Sequence, residues 1–246
     1  MAHPDRNEPE PSRRRLLGAA AAGGLLATLP QRSRAWQPER AITLYTALPA
    51  GGIQDQQMRF LEHRLRRAKL PERWSLDTFP WKQQPSLKRS SIEQLATLDF
   101  VDRAANIVFV GEPGVGKTGI ASAILMRALE RGYRGLFIKA QDLFDEMYKS
   151  LADRSSPRLL KRLVSLDLLL IDEMGYLNLR PEQSNIFFKL MEERYGKKST
   201  IITTNLHYDR WYDFLGNKDM VSALLDRLRH RCHTIHIDGA TLRTPG

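Results

Sequence analysis

Eight consecutive residues, Gly111-Glu112-Pro113-Gly114-Val115-Gly116-Lys117-Thr118, fit the pattern G-x-x-x-x-G-K-[ST]. That spacing suits phosphate. Glycines let backbone N–H groups turn inward around phosphate oxygens. A helix opening at Lys117 would add its N-terminal donors and dipole. A lysine at that point reaches β- and γ-phosphates, and the hydroxyl of Thr118 suits Mg²⁺. Nucleotide and metal are therefore expected together, as ATP and Mg²⁺.

Two further groups could complete the chemistry. Leu168-Leu169-Leu170-Ile171-Asp172-Glu173 is an apolar run ending in two carboxylates. Asp172 is placed to hold Mg²⁺ through water, and Glu173 to polarise an attacking water. Thr203-Thr204-Asn205 follows another apolar run. Asn205 could orient the water or sense the γ-phosphate; its alternative is a cap for the helix that follows.

These groups need elements to bring them together. Strands are expected at 106–110, 135–139, 166–171, 199–204 and 233–237. Helices are expected at 91–103, 117–131, 141–151, 158–164, 181–195, 208–215 and 219–229. Strands alternating with helices argue for an α/β fold, a parallel five-stranded sheet with helices on both faces. Parallel sheets place ligands at the C-terminal ends of their strands, where both the glycine-rich loop and the two carboxylates fall.

The chain has 246 residues with 42% hydrophobic and 27% charged, which excludes collagen, wholesale disorder and a polytopic membrane protein. Its formal charge is +10, of which +7 remains past residue 52. A basic domain of this kind suits a polyanion, and nucleic acid is the first candidate. Arg64, Arg66, Arg67 and Lys69 on a basic amphipathic helix, and Arg158, Lys161 and Arg162 on a second, are the expected contacts. The single cysteine, Cys232, excludes an intrachain disulfide. His230, Cys232, His233 and His236 do not converge as a zinc set, because in a strand His233 points away from Cys232 and His236.

The first 52 residues differ in character. Ser12-Arg13-Arg14-Arg15-Leu16-Leu17, an alanine-rich run and Ser33-Arg34-Ala35 have the layout of a twin-arginine export signal. Trp36 to Tyr45 and Pro49-Ala50-Gly51-Gly52 resemble the mature start of periplasmic receptors of the tripartite tricarboxylate type. A fused reading frame is expected, with the junction near residue 52. The periplasm lacks ATP, so the expected location is the cytoplasm, without membrane association.

The remainder resembles the IstB-like ATP-binding proteins, AAA+ ATPases of the P-loop NTPase class related to DnaC-type helicase loaders. Besides the glycine-rich loop, the carrying stretches are Gln94 to Phe100, Leu170-Ile171-Asp172-Glu173-Met174-Gly175-Tyr176-Leu177, Thr203-Thr204-Asn205-Leu206 and Leu224-Leu225-Asp226-Arg227-Leu228. Together they span about 54–238. The resemblance implies a helper of insertion-sequence transposition that assembles as an oligomer on ATP and double-stranded DNA and regulates a partner transposase. It places Arg227 as the finger inserted into a neighbour's nucleotide site, with Arg229 and Arg231 as nearby alternatives. Nine residues follow Ile237, so no C-terminal helical lid is expected and no lid arginine is assigned. The resulting division is a leader over 1–52, a truncated helical region and linker over 53–89, and the ATPase domain over 90–246.

Overall fold

The computed structural model describes residues 53–71, 74–175, 177 and 179–243. The leader, its junction and Tyr176 lie outside them. Five strands form one parallel sheet: β1 (Asn106–Gly111), β2 (Gly135–Lys139), β3 (Leu168–Met174), β4 (Ser199–Thr204) and β5 (Cys232–Ile237). Their spatial order is β2-β3-β4-β1-β5.

Alternation along each strand sends side chains to two separate cores. Val108, Val110, Leu169, Ile171 and Ile202 enter one core, under α5 (Ala140–Ala152), α6 (Ser156–Val164), α7 (Pro181–Arg194), α8 (Trp211–Leu215) and α9 (Lys218–His230). Ile107, Phe109, Leu168, Leu170 and Ile201 enter the other, with α2 (Arg89–Leu95), α3 (Asp99–Asp102) and α4 (Lys117–Glu130). Ala68, the last residue of α1 (Ile53–Ala68), joins this second core. The near-continuous apolar runs of the sequence are thus strands covered on both faces.

Three expected elements change by more than a residue or two at their ends. The helix expected over 91–103 breaks in two, because buried Leu98 takes a left-handed backbone with φ 74°. The segment expected to be helical over 208–215 is a 3-10 turn, Tyr208–Arg210, followed by α8. The strand expected over 166–171 starts at Leu168 and runs on to Met174. Asp172 and Glu173 therefore lie within β3 rather than just past it.

The N-terminal ends of the strands are fastened by charge. Arg194 is 1% exposed and donates to the carbonyls of Leu163 (2.7 Å), Leu166 (3.0 Å) and Ser199, and to Thr200 Oγ1 (3.1 Å). One guanidinium thus joins the end of α6, the end of α7 and the start of β4. Asp167, just before β3, accepts from Arg134 N (2.9 Å), Arg134 Nε (3.1 Å) and Lys198 Nζ (2.5 Å). Burial pushes the Asp167 carboxyl up, but the bonds from Arg134 and Lys198 outweigh it and hold the group well below the usual carboxylate range.

A depressed folded-state pKa contributes stability above the unfolded value, and that contribution is lost as pH falls toward the folded value. Asp167→Asn should cost about 1–2 kcal/mol at neutral pH. Urea titrations at neutral pH and through the acid range should show the gap to wild type narrowing below about pH 4. A gap independent of pH would remove Asp167 from this role.

Candidate functional site

At the C-terminal ends of β1, β3 and β4 lies a cavity of about 730 Å³. Its wall includes Pro113, Gly114, Gly116, Lys117, Thr118, Asp172, Glu173 and Asn205. The loop after β1 turns on Gly114 (φ 86°) and Gly116 (φ 95°), a region that side-chain-bearing residues rarely adopt. At Gly116 an added Cβ would also lie 2.8 Å from Phe79 Cε2. Val115 is 1% exposed and faces the second core, anchoring the loop from below. The carbonyls of Gly111 and Glu112 each accept from Lys117 Nζ at 2.8 Å. Burial lowers the Lys117 pKa, against the pull of Asp172 and Glu112. A charged phosphate oxygen is a stronger acceptor for this ammonium than the two neutral carbonyls.

The carboxylates come from β3. Asp172 is 2% exposed, and its Oδ1 accepts from Thr118 Oγ1 (2.8 Å) and Thr203 Oγ1 (2.5 Å). Burial raises the Asp172 pKa, while the two hydroxyls oppose the rise. A hydroxyl and a carboxylate side by side are hard oxygen donors, the set that suits Mg²⁺.

Glu173 differs from its neighbour in backbone and exposure. Its φ is 58°, and the β3–β4 register shifts between Ile171 and Met174. A bulge of this kind re-aims a side chain at a sheet rim. The side chain is 46% exposed and pairs with Lys139 Nζ at 3.1 Å, while its N–H donates to Thr203 Oγ1 at 3.0 Å.

Asn205 lines the cavity, and its Oδ1 is buried without a hydrogen-bond partner among the described residues. The turn after β4 is instead closed by Thr204 Oγ1, which accepts from Leu206 N at 2.9 Å. Asn205 therefore does not cap the following helix.

Arg227 is elsewhere. It lies on α9, beside a second cavity between α7 and α9, and pairs with Glu192 Oε1 at 3.4 Å. The fold thus gathers the loop, Asp172, Glu173 and Asn205 and leaves Arg227 outside. Sequence reasoning missed Lys139, Leu242 and Arg243, which line the first cavity. Trp74, an aromatic of the 70–89 segment expected to pack on a neighbour, lays its indole on Gly119 of α4 (2.7 Å from an added Cβ to Cε3). Trp74 was visible as an aromatic in a polar linker. Arg243 had no local signal.

The profile of the IstB-like ATP binding protein family matches residues 47–245, wider at both ends than the span of about 54–238 that the motifs mark out. The chain belongs to that family. It is 36% identical over 191 residues to an insertion sequence IS5376 putative ATP-binding protein of Geobacillus stearothermophilus, covering 78% of this chain and 76% of that protein. The IS21 putative ATP-binding protein of Pseudomonas aeruginosa is also 36% identical, over 185 residues, covering 75% of this chain and 70% of its own length. Among solved structures, a DnaC helicase loader aligns with TM-score 0.57 and 26% identity, over 67% of this chain and 96% of its own. The α/β fold is that of the P-loop AAA+ ATPases, and the family's binding of ATP fits the cavity as built.

If Thr203 keeps Asp172 ionised, Thr203→Val should raise the Asp172 pKa further. Mg²⁺-dependent ATP binding weakens as pH falls and the carboxylate takes up a proton. In the valine variant that weakening should begin at higher pH, seen by calorimetric titration across an acid-to-neutral series. Superimposable pH profiles would show that the hydroxyl does not tune Asp172.

Proposed function

We propose that this chain hydrolyses ATP and, assembled on double-stranded DNA, acts as a helper to the transposase of an insertion sequence. The carrying observation is the contact of Thr118 with Asp172 at 2.8 Å, between residues 54 positions apart, on the wall that also holds Lys117 and Glu173. Thr118 and Asp172 are the residues that would hold Mg²⁺, which when bound neutralises charge on the β- and γ-phosphates. Lys117 exchanges its two loop carbonyls for phosphate oxygens. Glu173 gives up Lys139 and takes a water as hydrogen-bond donor, making it a better nucleophile. Asn205 orients that water from the tip of β4.

Arg227 is absent from the wall of this cavity. To serve the same reaction Arg227 would then act on a second copy of the chain, as fingers supplied in trans do in related chemistry. The two relatives at 36% identity, both named for insertion sequences, favour a transposition role over helicase loading. ATP as substrate favours the cytoplasm; no helix among the described residues is long and apolar enough to cross a membrane.

The DNA reading rests on charge. Arg66, Arg67 and Lys69 are exposed on or just after α1, and Arg158, Lys161 and Arg162 on α6. Arg64 is less available, being half-buried with Nη1 3.8 Å from an added Cβ at Gly132. Arg162 is paired with Glu146. The two clusters flank opposite faces of the sheet, since Ala68 of α1 and Leu159 of α6 enter different cores.

Turnover is the first test. Glu173→Gln should retain ATP binding and lose hydrolysis by orders of magnitude, whereas Lys117→Ala should lose binding itself. Arg227→Ala should bind ATP normally but turn over poorly. Mixing it with Glu173→Gln should restore activity, because a mixed interface pairs an intact Glu173 with an intact Arg227. Specific activity should also rise with protein concentration. No rescue, together with constant specific activity down to monomer, would return Arg227 to an ordinary helix-surface residue.

DNA binding should be independent of base sequence and fall steeply with salt, as counterions are released. Neutralising either basic cluster should flatten the plot of log affinity against log salt, the slope falling by about 0.9 for every phosphate that the protein no longer neutralises. Affinity and slope unchanged with both clusters neutralised would refute the assignment.

A further inference from the structure

Beyond β5, residues 238–243 run back across the domain. Asp238 N donates to Ser86 Oγ at 2.9 Å, and the Ala240 carbonyl accepts from Gln84 Nε2 at 2.7 Å. These bonds fasten residues 238–240 to the linker ahead of α2. The path then crosses the phosphate loop. Leu242 N donates to the Gly114 carbonyl at 2.8 Å. The approach is close: a Cβ at Gly114 would lie 2.2 Å from Thr241 Oγ1 and 3.5 Å from Arg243 Cδ. A Cβ at Gly116 would lie 3.0 Å from Leu242 Cδ1. Glycine at Gly114 therefore serves two demands, its φ of 86° and the passage of this strap.

The strap delivers a cation. Arg243 lines the same cavity as Lys117, Thr118 and Asp172. Its side chain makes no ion pair or hydrogen bond to any described residue. Arg243 and Lys117 thus face one cavity, and a polyphosphate bound there would give both cations an anionic partner.

We propose that Arg243 is a phosphate-binding residue of this chain's own nucleotide site, held over the phosphate loop by the strap 238–243. The proposal rests on reading the cavity as an ATP site. It gives the chain two arginines with different addresses: Arg243 acts within the copy that carries it, and Arg227 on a neighbour. An arginine suits the task, since its planar fork meets two phosphate oxygens where a lysine offers a point charge. Because the strap and the nucleotide would share this side chain, bound nucleotide should also fasten the strap.

The test is calorimetric titration of ATPγS into the full chain with Mg²⁺, for wild type, Arg243→Ala, Arg243→Lys and Arg103→Ala. Arg103 is an exposed arginine just ahead of β1, at the other end of the sheet, and controls for net charge. Arg243→Ala should weaken binding about 10- to 100-fold, the range for a charge-assisted hydrogen bond. Arg243→Lys should recover part of the loss, and Arg103→Ala should stay within about two-fold of wild type. As a second readout, trypsin should cut after Arg243 more slowly when ATPγS is bound, with release of residues 244–246 followed by mass spectrometry. Wild-type affinity in Arg243→Ala, with unprotected cleavage in wild type, would overturn the proposal and leave the ATP site standing. Failure of the wild-type chain to bind ATPγS would overturn both.

Discussion

A carboxylate that is 2% exposed is costly unless its lone pairs are met, and Asp172 is met by two hydroxyls from different parts of the chain. Thr118 comes from the first turn of α4 and Thr203 from β4. The one oxygen thus ties the phosphate loop, the acidic strand and the neighbouring strand into a fixed triangle. Thr203 does more, since the same hydroxyl accepts from Glu173 N and so fixes the bulge that turns Glu173 outward. Without this junction the loop, the metal-suited oxygens and the second carboxylate would have no common frame.

The same geometry gives two adjacent acids different surroundings. Asp172 is buried and bonded to hydroxyls, while Glu173 is about half exposed and paired with a lysine. Ordinary strand alternation would already send consecutive residues to opposite faces. The left-handed backbone at Glu173 departs from it, so that both side chains line one cavity. Strain of this sort, of order 1–3 kcal/mol, persists only where surrounding structure holds it. Here the hold is the ladder to β4 and the Thr203 hydroxyl.

Two arginines and two basic clusters show how position, rather than residue type, divides the work. Arg194 is buried against carbonyls, and burial lowers its pKa to about 10, so it stays charged at neutral pH as a structural fastener. Arg227 stands on an outer helix beside a separate cavity. The basic residues of α1 and α6 flank opposite faces of the sheet. Summed charge shows only that a polyanion suits the chain; the fold decides which charges can meet it at once.

Much of the site was legible because its pieces are local. The loop from Gly111 to Thr118 carries its own turn chemistry, and the run into Asp172 and Glu173 carries its own strand period. All five strands and the parallel α/β class followed from apolar runs alternating with helical spacing, and the family followed from motifs such as Leu224 to Leu228. Other features needed the tertiary structure, because they arise from pairs distant in sequence. The break at Leu98 reflects burial rather than propensity, since leucine favours helix. The extension of β3 to Met174 depends on a partner, Thr204, thirty residues away. Lys139 meets Glu173 only because β2 lies beside β3 in the sheet. Arg243 reaches the cavity because residues 238–242 bond to the linker and the loop, more than a hundred positions earlier. Local sequence thus determined which chemistry the chain carries; long-range hydrogen bonding and strand order decided which of its charged side chains share a site.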